Sequence, residues 1–172
     1  MKLILGIFFV LLAGCGNAAD APADIECEIT FDILDACQYQ GTKISLVTEG
    51  LAVDEKKLVK LKVDRNGRRH VLSITPDTSI LAGDKGYILF EDVNFDGTPD
   101  LAVSTSFGLV NQYLDYWVYD KANDKYVYLG NHARFSLNAK DKTLSNEVKI
   151  NAATYDRNTY SWDSGVLKRV DK

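Results

Sequence analysis

From about residue 43 the chain alternates between apolar and polar positions. Ile44 and Leu46, then Leu58, Leu61 and Val63, then Val71, Leu72 and Ile74 stand among charged and polar neighbours. Successive side chains of a strand point to opposite faces, so a period near two predicts strands with one buried face. Asp64-Arg65-Asn66-Gly67-Arg68 separates two of these runs, and Asn-Gly predicts a tight hairpin there. Further strands are predicted from Tyr87, over 101–105, 113–120, 126–129, 134–137, 148–150, 154–162 and 166–170. Polar or glycine-containing turns separate them, such as 83–86, 121–125 and 163–165. Beyond Leu12 only a weak stretch near 51–59 has helical spacing, and 50–55 reads equally as a turn. About ten strands make one all-β antiparallel domain over residues 25–172, a length that suits a single core. The last strand is expected to close that domain against an early one.

One stretch departs from plain alternation because of its oxygens. Asp92-Val93-Asn94-Phe95-Asp96-Gly97-Thr98-Pro99-Asp100 places an oxygen-bearing side chain at nearly every second position, with a glycine after the third. Ca²⁺ takes six to eight oxygen ligands, several of them anionic. The expected ligands are the side chains of Asp92, Asn94, Asp96 and Asp100 and the backbone carbonyl of Thr98. The opening matches an EF-hand loop, D-x-[DN]-x-[DN]-G. It then departs: the last carboxylate is Asp100, and strands rather than helices are predicted on either side. An Asp/Asn-rich turn that binds nothing is the plain alternative.

The beginning of the chain changes the compartment. Met1-Lys2 and an apolar run from Leu3 to Leu12 are too short to span a bilayer and predict a signal peptide, residues 1–14. Leu12-Ala13-Gly14-Cys15 resembles a bacterial lipobox. That likeness implies a lipid on Cys15, membrane attachment through that lipid and a tether over 15–24. Gly16, rather than aspartate, implies the outer membrane, with the protein facing the periplasm. Cys27 and Cys37 then remain as an even pair in an oxidising compartment, which predicts a disulfide between them. Without Lys2 the chain keeps 19 of its 20 basic residues against 24 acidic ones, near −5. That balance argues against nucleic acid as a partner, because its recognition relies on Lys and Arg to neutralise phosphates.

After the 101–105 strand, Ser106-Phe107-Gly108-Leu109-Val110-Asn111-Gln112 is uncharged and holds three apolar side chains in a segment that belongs at the surface. Next, 113–120 is rich in aromatics. Tyr113, Asp115, Trp117 and Tyr119 share one face, and Leu114, Tyr116 and Val118 the other. Motifs for an enzyme are lacking. His70 and His132 have no metal-ligand spacing and read as surface residues near turns, and neither G-x-S-x-G nor H-E-x-x-H occurs.

The D-x-N-x-D-G-x-x-D loop, the glycine- and asparagine-containing loop after it and the aromatic strand with Tyr113, Tyr116-Trp117 and Tyr119 together resemble the core of a family of bacterial periplasmic lipoproteins. The segments Phe135-Ser136-Leu137 to Leu144 and Tyr160-Ser161-Trp162 to Leu167 fit as well, for about 80 of the 172 residues. Members include immunity proteins against peptidoglycan-cleaving effectors of bacteria-killing type IV secretion systems, and they are similar in fold to periplasmic lysozyme inhibitors. The resemblance implies an irregular β-propeller-like arrangement, with a β-sandwich or a flattened barrel as alternatives. It also implies a calcium loop, and an inhibitor rather than an enzyme. Its partner would be a lysozyme-like peptidoglycan hydrolase. The loop of Ser106, Phe107, Gly108, Leu109 and Asn111, with Tyr113, would enter that hydrolase's cleft. Ser106 or Asn111 would bond its catalytic carboxyls, and Phe107, Leu109 and Tyr113 would fill sugar subsites. The other reading is a calcium-stabilised envelope binding module with a non-hydrolase ligand.

Overall fold

The computed structural model describes residues 25–32 and 37–170. The expected signal peptide, the tether and Cys15 lie outside them. The described residues contain no helix and fourteen strands. Three of the fourteen are only three residues long: β11 (Ser136–Asn138) lies in the expected 134–137 run, whereas β2 (Cys37–Tyr39) and β6 (Ser79–Leu81) lie outside every expected run. Such pieces are too short to show alternation.

The strands form three antiparallel sheets. The central one has the order β1 (Ile25–Thr30), β7 (Lys85–Glu91), β8 (Asp100–Ser104), β9 (Tyr113–Asp120) and β10 (Lys125–Ala133). A second joins β2, β3 (Thr42–Ala52), β4 (Glu55–Arg65) and β5 (Arg68–Ser73), with β6 also on β4. The third joins β11, β12 (Thr143–Lys149), β13 (Tyr155–Asp163) and β14 (Val166–Arg169). The Asn-Gly hairpin forms as expected: Arg65 faces Arg68, and Asn66 and Gly67 have φ of 50° and 78°. Positive φ at both central residues is the geometry whose twist matches the flanking strands. The closing strand differs from expectation, because β14 pairs with β13 and not with an early strand. The turn at Ser164-Gly165 returns the chain at once to its neighbour.

The all-β antiparallel expectation holds, and the sheets stack in a sandwich-like way around two cores. Ile88, Phe90, Leu101, Val103 and Trp117 of the central sheet pack with Ile44, Leu61, Val63 and Leu72 of the second. Leu89, Ala102, Leu114 and Tyr116, from the opposite face, pack with Phe135 and Leu144 and with Tyr160 and Trp162 of the third. A sheet buried on both faces has no polar side, which is why Tyr87-Ile88-Leu89-Phe90 and Leu101-Ala102-Val103 read as continuous apolar runs. Burying each such side chain contributes about 1.5–3 kcal/mol. The Cys27–Cys37 disulfide is present, with Cα atoms 5.9 Å apart, and ties β1 to β2.

Candidate functional site: two loops at the ends of strand β8

The acidic loop enters β8 and is closed by its own side chains. Asp92 accepts the N–H groups of Asp96 and Gly97 at 3.0 and 2.7 Å, one on each carboxylate oxygen. Asn94 Oδ1 also accepts the Asp96 N–H, at 3.1 Å, and its amide donates to Asp96 Oδ2 at 3.0 Å. Asp96 Oδ1 accepts the Thr98 N–H at 2.8 Å. Phe95 and Gly97 both take positive φ, 58° and 82°. These conformations bend the loop around the bonds just named. Thr98 is buried.

Asp100 lies behind the loop and is buried. One oxygen accepts the Val93 N–H at 3.0 Å and the other the Tyr119 N–H at 2.8 Å. It therefore braces the loop against β9. Burial pushes its carboxyl up to about 8; the charges of Asp96 and Asp92 push the same way, and the two N–H bonds oppose them. Two long-range contacts add to the brace. Trp162 Nε1 donates to the Val93 carbonyl at 2.7 Å, and Arg65 donates to the Pro99 carbonyl at 3.2 Å. All three sheets thus hold this loop.

Its donor set fits a hard cation in kind. A carboxylate oxygen has two lone-pair directions, so one N–H bond leaves each oxygen another. As the side chains stand, no group of three or more His, Cys, Asp or Glu among the described residues converges on one point.

The loop leaving β8 is built differently. The Thr105 N–H donates to the Tyr113 carbonyl at 2.9 Å. Ser106 Oγ accepts the Tyr113 N–H at 2.7 Å and donates to the Asn111 carbonyl at 3.0 Å, closing the neck. Asn111 reaches across to β12: its amide donates to the Lys149 carbonyl at 3.0 Å, and its oxygen accepts the Lys149 N–H at 2.9 Å. Phe107 is buried in the first core. Its ring lies where a Cβ on Gly86 would be, 2.3 Å from that position, so only glycine allows this approach. Gly108 has φ of +64° and turns the chain outward. The tip is then Leu109 and Val110, 68% and 77% exposed.

Expected roles change accordingly. Ser106 and Asn111 are not free polar tips, because they hold the loop from within. Phe107 is not available to fill a sugar subsite, and Tyr113 is half-buried at the start of β9. Of the expected contact residues, Gly108 and Leu109 are presented outward, and Val110 joins them.

Two further groups were not legible as important. Asp115, fully buried, accepts the Thr75 N–H and hydroxyl at 2.6 Å each and the Tyr128 hydroxyl and Asn131 amide at 2.9 Å each. The signal for it was an acid in the middle of an aromatic strand. His132 is no surface residue near a turn. It lies in β10 against Phe135 and Tyr160, with ring centroids 5.2 and 6.0 Å away. Burial lowers its pKa, and a bond to the Leu129 backbone opposes that. It lines an apolar groove of about 400 Å³ with Leu129, Tyr160, Trp162 and Leu167. A second groove, of about 460 Å³, lies along Leu72, Ile74, Trp117 and Tyr128. No family model, curated protein or solved structure matches this chain.

Proposed function

We propose that this chain is a lipid-anchored periplasmic protein, not an enzyme, that inhibits a lysozyme-like peptidoglycan hydrolase by placing the 106–113 loop in its cleft. Immunity against effectors of bacteria-killing type IV secretion systems is the setting. The observation that carries this reading is an exposed Leu109-Val110 tip on a loop fastened at its neck, at Asn111 and under Gly86. A protrusion already held in one shape loses little entropy on binding, and that favours affinity from a small contact. Leu109 and Val110 supply the apolar contact, while Ser106, Phe107 and Asn111 keep the shape. The acidic balance of the chain favours encounter with a basic hydrolase.

Ca²⁺ in the preceding loop is part of the same proposal. Asp92, Asn94, Asp96 and Asp100, with the Thr98 carbonyl, would hold it. Bound there, the ion supplies positive charge that offsets the crowding of the carboxylates. It has no chemical step to perform.

A calcium-stabilised envelope module with a non-hydrolase ligand has one observation in its favour, the two apolar grooves beside β10. Release of dye-labelled fragments from peptidoglycan by a panel of purified lysozyme-like muramidases separates the two readings. Slowed release by at least one muramidase supports inhibition. Unchanged release across the panel, with calcium present, removes it and leaves the module.

A further inference from the structure

The outer face of the β2–β5 sheet takes no part in either loop. Ile44, Leu61 and Val63 point inward, so Lys43, Lys60, Lys62 and Arg69 point outward, and all four are exposed. The register sets Lys43 and Arg69 on either side of Asp64, with Lys62 and Lys60 in the next two rows. Asp64 pairs with Arg69 at 2.9 Å. Lys43, Lys60 and Lys62 have no ion-pair partner among the described residues. Residues 37–81 hold eight of the chain's 20 Lys and Arg but only five of its 24 Asp and Glu. A cationic face therefore stands on an acidic protein.

A second observation of a different kind lies on the same hairpin. The end of the β3–β4 hairpin carries Leu51 on β3, 56% exposed, and Val53 in the turn itself, 98% exposed. Leu81 of β6, opposite Glu55, is exposed beside them. A two-residue turn needs no aliphatic side chain in water; Asn, Asp and Gly serve it better. The tip lies roughly 20 Å from Lys60 at the rise of a strand, so one obliquely lying surface reaches both.

We propose that this hairpin docks on an anionic phospholipid bilayer, with Leu51 and Val53 entering the interface and the lysine face against the headgroups. Apolar burial and attraction to anionic lipid together are what hold a protein at a membrane surface. The face is exposed, and its free cations are lysines. Such point charges suit many separate headgroups, whereas a single planar ligand calls for arginine forks. The contact is independent of the hydrolase reading and of any lipid on Cys15.

The test uses the full chain with Cys15→Ser and Val53→Cys, labelled at residue 53 with a polarity-sensitive fluorophore. Vesicles of phosphatidylglycerol and phosphatidylcholine at low salt should shift its emission to the blue, and phosphatidylcholine alone should not. The same label at Val166→Cys on β14 should stay unmoved. Lys60→Glu with Lys62→Glu should weaken vesicle partitioning by at least about fivefold for each lysine removed. A silent label at residue 53 would overturn the proposal, as would equal shifts at both positions, which report attachment through another segment. Binding of soluble polyphosphate by the lysine face, with no shift on vesicles, would also overturn it.

Discussion

The loop entering β8 closes on itself: Asp92, Asn94 and Asp96 each bond backbone N–H groups two to five residues away. The loop leaving β8 is closed at its neck by Ser106 and is also held from a distance. Asn111 reaches Lys149, 38 residues on, and Phe107 lies over Gly86. Both are turn-rich connections on the same central strand. Both are also tied to other strands, the first through Trp162 and Arg65, but the first exposes its polar atoms and the second its apolar ones. The difference teaches that a segment of ordinary composition keeps an apolar tip outward when one of its own apolar side chains, Phe107, is buried as an anchor. It also predicts that the two loops respond differently to substitution.

The largest effect should come from Phe107→Ala, which leaves a cavity in the first core and costs about 3 kcal/mol in urea unfolding. Leu109→Ala, two residues away, should stay within about 0.5 kcal/mol of the parent, as for an exposed position. Equal costs at the two positions would erase the distinction between anchor and tip. Asn111→Ala comes next. It removes both bonds to Lys149 and should cost about 1–2 kcal/mol. Amide exchange should quicken over 106–112 and at Lys149, while the acidic loop keeps its protection.

The acidic loop gives the smaller response. Chelation should lower the melting temperature by about 2–4 °C, the shift that 1 kcal/mol gives in a domain of this size. Asp96→Ala should lower it similarly and make the protein insensitive to chelator. Should chelator and added Ca²⁺ both leave the parent unchanged, the loop is a plain turn closed by its own side chains.

What could be read in the chain follows the same division. Alternation exposed the strands, and Asn66-Gly67 fixed a hairpin, because both depend on neighbours in sequence. The acidic spacing marked this loop for the same reason, since Asp92, Asn94 and Asp96 bond groups within five residues. The aromatic strand β9 was visible, but not that its two faces serve different cores. That depends on the second and third sheets stacking on opposite sides of the central one. Asp115 was assigned to a face, yet its four donors come from Thr75, Tyr128 and Asn131 on other segments. Phe107 and Asn111 read as contact residues because Gly86 and Lys149 lie elsewhere along the chain, and Ser106 because nothing in a serine marks it as the residue that closes the neck onto Asn111 and Tyr113. The closing strand was misplaced for want of any local mark of its neighbour.

Inhibition by the tip variant Leu109→Asp with Val110→Asp, measured on a muramidase that the parent inhibits, bears most directly on the account. With the melting temperature unchanged, the variant should require at least about a hundredfold more protein for equal inhibition, the scale set by burying two charges in an apolar contact. Undiminished inhibition by a folded variant would contradict the central claim and move the contact to another part of the surface.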